Sequence, residues 1–178
     1  MNNISGKKLL ANTLLLTTLI VLSVWFQSVS AAEPGAQAPD LTLPQLQGNG
    51  TVTLADHRDK IIYLDFWASW CPPCLVSMPV MNEMRNRLQA QGVPFEVIAV
   101  NVDTDPADGV DFLLDTPVDF IVLSDPDGDT PAAYAVRGMP TSYLISVDGS
   151  IALKHEGFKR SDAQMIESEI LRLAEQRQ

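Results

Sequence analysis

Cys71 and Cys74 are the only cysteines in the 178-residue chain, and they enclose Pro72-Pro73. Thiols three positions apart can pass between dithiol and disulfide, and the species that attacks is the thiolate. A cross-link over so short a loop would stabilise the fold by only ~2 kcal/mol, about half of what a long-loop staple gives. The pair is therefore read as chemistry rather than as a structural disulfide. A helix is predicted from about Pro72, which places Cys71 at a helix N-terminus, where unpaired amides and the dipole favour negative charge. Pro72 and Pro73 suit a first turn, whose nitrogens have no intrahelical acceptor to lose. They also stiffen the ring that brings Cys74 within reach of Cys71. Cys74, one turn further in, suits a resolving role. Asp65 lies in the apolar run Ile61-Ile62-Tyr63-Leu64-Asp65-Phe66-Trp67. A buried carboxylate has a raised pKa and can exchange a proton with the resolving thiol, which makes Asp65 the candidate for that step.

Other chemistries fit less well. Structural zinc would need two further ligands beside the cysteines. His57 and His155 are the only imidazoles and read as surface residues, so no metal and no cofactor is expected. A peroxidase of the peroxiredoxin type would need Thr or Ser three residues before its reactive cysteine, where Ala68 stands. A Cu(I) carrier could use the thiolate pair, since soft ligands select that ion, but no further soft or imidazole ligand is evident nearby. Asp125-Pro126-Asp127-Gly128-Asp129 resembles half a calcium loop, yet its glycine is fourth rather than sixth and Val136 stands where a glutamate would be required. It reads as a turn. Nine acids and no base between Asp103 and Asp129 read as a solvated face. The formal net charge of −10 argues against nucleic acid or anionic lipid as a partner of the folded domain.

The remaining chain must position these groups. Residues 1–31 read as a targeting segment: Lys7 and Lys8, an apolar stretch from Leu9 to Phe26, then the small residues Ser28-Val29-Ser30-Ala31-Ala32. It is either a cleaved signal peptide or a retained N-terminal membrane anchor. Both readings export the domain to a periplasmic or other extracytoplasmic space, soluble or tethered to the inner membrane through residues 9–26. Residues 32–44 read as a linker and 45–178 as the folded domain. A short strand is expected at 51–54, buried strands at 61–67 and 95–101, and a helix from about 72 to 91 closed by Gly92. Asp105 and Pro106 open a second helix that ends near Pro117. A third core strand follows at 120–123 and a short helical piece at 131–136. Strands at 142–147 and 151–155 flank Asp148-Gly149, a hairpin signal. Ser161 with Gln164 predicts a capping box for a closing helix. The order implies an α/β fold, a mixed sheet with helices on its faces.

Asp65-Phe66-Trp67-Ala68-Ser69-Trp70-Cys71-Pro72-Pro73-Cys74 resembles the active-site segment of thioredoxins. Pro79 matches the proline that kinks their active-site helix, and Gly138-Met139-Pro140-Thr141 resembles their cis-proline segment. The longer stretch around 102–123 is similar to the βα insertion of the TlpA/ResA branch of exported thiol–disulfide oxidoreductases. That resemblance implies a thioredoxin-like fold and a redox-active Cys71–Cys74 pair. It implies substrate docking along Trp70, Pro72, Met139, Pro140 and Thr141. It further implies disulfide-containing exported proteins as substrates and a membrane protein as electron donor. The favoured activity is reductase, for example in cytochrome c maturation, with a disulfide oxidase or isomerase as the alternative. Two departures stand out: Ser77 occupies a position where many of that branch carry glutamate, and Asp65 matches thioredoxin instead.

Overall fold

The structure is a computed structural model and describes residues 32–176. The leader expected over 1–31 lies outside the described residues. Among those described, no helix is long and apolar enough to cross a membrane.

Apolar runs make the centre of the sheet. β3 (Ile61–Trp67) and β4 (Phe95–Asn101) are buried at every position, as strands covered on both faces must be. Two short strands precede them, β1 (Thr42–Pro44) and β2 (Thr51–Thr53), which pair antiparallel with each other. α1 (Pro72–Ala90) connects β3 to β4, and α2 (Pro106–Asp115) connects β4 to β5 (Ile121–Ser124). After the single turn α3 (Asp129–Ala133) come β6 (Thr141–Ile145), β7 (Ile151–Glu156) and the closing α4 (Asp162–Glu175). The five core strands lie in the order β5-β4-β3-β6-β7. Helical crossovers make β3, β4 and β5 parallel, whereas β6 runs antiparallel to both β3 and β7.

Side-chain alternation divides the core in two. Ile61, Tyr63 and Trp67 share one face with Met78, Met81, Met84 and Leu88 of α1 and with Ile166 and Ile170 of α4. Ile62, Leu64 and Phe66 face the other way, toward Tyr134, Tyr143 and the segment that enters the domain. That segment corrects the expected linker at 32–44. Ala32, Ala38 and Leu41 are buried there. The Gly35 and Ala38 amides donate to the carbonyls of Ile151 and Gly149, and the Tyr134 hydroxyl donates to the Pro39 carbonyl. Pro, Ala and Gln looked like linker composition, but the backbone of this segment pairs with residues 149–151, at the turn into β7.

Local signals mostly hold. Asp105 caps α2 by accepting from the Ala107 amide, and Gly92 adopts positive φ after α1. At the Asp148-Gly149 turn the Asp148 carboxylate accepts from the Ser150 amide and from the Ser146 and Ser150 hydroxyls, which hold its pKa down at about 2. The capping box is a correction. The Ser161 side chain caps nothing in α4, and its backbone is already helical. The Asp162 carboxylate accepts from the Lys159 amide instead, closing the turn before the helix.

The acidic run is also not one solvated face. Asp103 and Asp125 are buried. Asp125 accepts from the Thr130 amide and hydroxyl across the turn. Gly109 of α2 packs so closely on Asn101 that a β-carbon there would sit 2.7 Å from its side-chain nitrogen. Gly109→Ala is therefore expected to destabilise the domain by about 1–3 kcal/mol, as overpacking does, despite alanine's better helix propensity. The urea midpoint measures it, and a more stable variant would contradict this packing.

Candidate active site

β3 ends at Trp67, and Ala68-Ser69-Trp70 turns the chain into α1. Cys71 is the N-cap of that helix, with Pro72 and Pro73 in its first turn. Cys71 and Cys74 are joined as a disulfide. Cys71 Sγ accepts from the Cys74 amide at 3.3 Å. In the reduced form the same amide and the helix dipole would stabilise a Cys71 thiolate. Cys74 is wholly buried and Cys71 nearly so. Ser77, one turn on, is buried and donates to the Cys74 carbonyl at 3.0 Å, so it has no hydroxyl proton left for the sulfur.

The loop before Cys71 is held by a group that sequence reasoning missed. The Asp103 carboxylate accepts from the Ser69 amide at 3.0 Å, from the Ser69 hydroxyl at 3.2 Å and from the Asn101 side-chain amide at 2.7 Å. Hydrogen bonds to a buried carboxylate are among the stronger kinds, so this strut fixes the approach to the cysteines. In the sequence it stands two residues past a buried strand, hidden inside an acidic run. Phe112 of α2 packs on the Trp67 ring at 5.3 Å, which ties the inserted helix to the same loop.

Because β6 runs antiparallel to β3, its first residues lie beside the last residues of β3: Thr141 pairs with Phe66. Met139 and Pro140 therefore sit at the same end of the sheet as Cys71. The Met139–Pro140 bond is cis, and Met139 packs against the core cluster that contains both cysteines. Trp70 is 67% exposed beside them. Leu75, unremarked in the sequence, is also exposed one turn into α1 and widens this apolar rim. Thr141 is buried, and its hydroxyl donates to the Gly138 carbonyl at 2.7 Å. Its side chain thus braces the loop.

Asp65 is 2% exposed in the middle of β3. Alternation places it on the same face as Tyr63 and Trp67, the face covered by α1 and therefore the one toward Cys74. Its Oδ1 has no hydrogen-bond partner among the described residues. Burial pushes its pKa up to about 7, against a smaller opposing effect of Ser142. A carboxyl that titrates near neutrality can both take and return a proton under working conditions.

Comparison with known proteins agrees with this arrangement. The profile of the AhpC/TSA family matches residues 34–154. The thiol–disulfide oxidoreductase ResA of Bacillus cereus is 32% identical over 133 residues, 75% of each chain. ResA of Geobacillus kaustophilus is 35% identical over 127 residues, 71% of each. A crystal structure described as a putative thiol:disulfide interchange protein DsbE from Chlorobium tepidum is 43% identical. It superposes with a TM-score of 0.76 over 81% of this chain and 99% of its own. Two cysteines three positions apart at a helix N-terminus, in a sheet of this topology, agree with what those relatives are named for. The chain belongs to the AhpC/TSA family and is a thioredoxin-fold thiol–disulfide oxidoreductase of the ResA kind.

Proposed function

We propose that the domain works outside the cytoplasm as a reductase, exchanging its Cys71/Cys74 dithiol for disulfides of exported proteins. The observation that carries the direction is the modest support around Cys71 Sγ: in the disulfide form one backbone amide among the described residues, that of Cys74, reaches it. A strongly oxidising pair needs a heavily stabilised reduced form. Here the buried Asp65 carboxyl, once ionised, opposes a further negative charge on the cysteines packed against the same face of β3. A weakly stabilised dithiol gives its electrons away.

In the reaction, the Cys71 thiolate attacks a substrate disulfide lying along Met139-Pro140. A mixed disulfide forms and one substrate sulfur leaves as a thiol. Cys74 loses its proton to Asp65 and attacks Cys71 Sγ. The Cys71–Cys74 bond forms, the mixed disulfide breaks, and the substrate departs with two thiols. The oxidised enzyme then needs a dithiol donor, and a membrane-bound donor fits an exported domain fed from within. The leader-like residues 1–31 and the kinship with ResA and DsbE support export, and cytochrome c maturation is one setting in which such a reductase would act.

Equilibration with glutathione redox buffers tests the direction. A potential near the thioredoxin end of the scale, roughly −270 mV, supports the reductase. One near roughly −120 mV would make the domain an oxidase. Cys74→Ala, which retains the nucleophile and lacks the resolving thiol, is expected to accumulate mixed disulfides with substrates in cells and so identify them.

A further inference from the structure

The sheet carries a line of polar residues that the exchange steps leave unused. Asp65 on β3 pairs with Ser142 on β6, and Ser142 pairs with His155 on β7. Paired residues project from the same face, with β-carbons about 4.5–5.5 Å apart. The three side chains therefore form one row, from the centre of the sheet to its edge strand. Their neighbours on that face, Leu144 and Leu153, belong to the apolar core cluster. A polar row in apolar surroundings carries a desolvation cost that packing alone does not explain.

The atoms along the row are suited to passing a proton. Asp65 Oδ1 and His155 Nδ1 are both shielded from solvent, and neither has a hydrogen-bond partner among the described residues, so in the disulfide form neither is bonded to the Ser142 hydroxyl and both links of the row stand open. The Ser142 hydroxyl, buried between them, lies 2.6 Å from the Tyr63 hydroxyl. A serine hydroxyl can accept one proton while giving up another. At the outer end His155 Nε2 is 3.4 Å from an Asp162 oxygen at the first residue of α4, and the His155 side chain is 15% exposed. The imidazole thus has one nitrogen inside and one at the surface. This also corrects the expectation of a surface histidine.

We propose that Asp65, Ser142 and His155 form a proton relay that joins the resolving thiol to solvent, with His155 as its outlet. The proposal rests on Asp65 being the acceptor of the Cys74 proton. Once side-chain rotation brings the three groups into hydrogen-bond contact, Asp65, protonated by Cys74, gives that proton to Ser142 Oγ as the Ser142 hydroxyl proton moves to His155 Nδ1. The imidazolium then sheds its Nε2 proton past Asp162 into water. No electrons move along the row, and each group returns to its starting charge after one proton has left.

The groups facing the row fit this direction of flow. Tyr63 from β3 is held protonated by burial, its pKa raised well above the ordinary value, so it orients the Ser142 hydroxyl without competing for the proton. α1 contributes Cys74 and the uncharged Ser77. From the start of α4, Asp162 is kept ionised by the Lys159 amide, and the Lys159 ammonium also faces it. Lys154 and Glu156 alternate onto the opposite face of β7, where Lys154 stands over the Tyr143 ring.

The test is single-turnover release of a reduced disulfide peptide from its mixed disulfide with the full-length protein, followed across pH. His155→Gln is expected to slow release roughly tenfold near neutral pH, a fraction of what general acid–base groups contribute. Added imidazole is expected to restore the rate, and formation of the mixed disulfide by Cys71 to stay unchanged. Ser142→Ala, which removes only a hydroxyl, is expected to show the same slow release, and it carries the test if the histidine variant does not fold. Normal release and an unmoved pH profile in both variants, alongside slow release in Asp65→Asn, would overturn the relay and leave Asp65 as the base. Slow release that imidazole does not restore, with an unmoved pH profile, would also overturn it, since His155 would then act through packing. Unimpaired release in Asp65→Asn would instead remove the reading on which the relay rests.

Discussion

DTT-dependent insulin reduction is expected to fall by on the order of a thousandfold or more in Cys71→Ser, to the background given by DTT alone. The reaction begins with a nucleophile that must be anionic near neutral pH. A thiol beside the Cys74 amide and the N-terminus of α1 can be, whereas a serine hydroxyl there cannot. Loss of folding would not account for the defect, because serine is a favoured N-cap residue and keeps an oxygen where Cys71 Sγ now accepts. Removal of the short-loop disulfide costs the fold only ~2 kcal/mol. Insulin turbidity measures the rate, and far-UV circular dichroism verifies the fold. Activity near that of the native protein would show that Cys71 is not the attacking group.

Asp65→Asn is expected to stabilise the oxidised protein at alkaline pH while slowing catalysis. The folded carboxyl titrates at about 7 because burial disfavours its charge, whereas in the unfolded chain it titrates near 3.9. Between about pH 4 and 7 the folded state therefore binds more protons than the unfolded state, and stability falls as pH rises through that window. Three pKa units correspond to ~4 kcal/mol at most, so a loss of a few kcal/mol by pH 8 is the reasonable expectation. Below pH 4 both states hold the proton, and the cost is absent. The amide cannot ionise, so the variant should match the native protein at pH 4 and exceed it at pH 8. Urea denaturation at the two pH values decides this, and equal destabilisation at both would mean that Asp65 stays neutral or is paired. Such a carboxylate persists at a cost to stability because it is useful: the same variant should resolve mixed disulfides roughly a hundredfold more slowly, the lower range for a lost general base.

Much of the fold could be read along the chain because its signals are local. The buried strands 61–67 and 95–101 follow from unbroken apolar runs. The start of α1 follows from Pro72-Pro73, its end from Gly92, and the β6–β7 turn from Asp148-Gly149. The role of the cysteines was equally accessible, since two thiols three residues apart have little structural use. The burial of Asp65 followed from its neighbours. The segment 32–44 misled because composition reports propensity, whereas Ala38 and Leu41 are buried by surfaces that only the assembled sheet provides. The Ser161 signal failed because Asp162 competes for the same turn from one residue away.

What the sequence by itself determined is the chemistry: a thiol pair at a helix start, a carboxyl on a buried strand, and an order of elements that makes a mixed sheet. Tertiary structure alone decided which distant residues meet. Antiparallel pairing of β6 with β3 brings Pro140 to the end of the sheet that carries Cys71, and it sets Asp65, Ser142 and His155 in one row. The β4–α2 connection returns Asp103 to the loop at Ser69, across 34 residues of chain. The physical reason is that strand register is fixed by burial of one face over a whole sheet, a condition no short stretch of sequence contains.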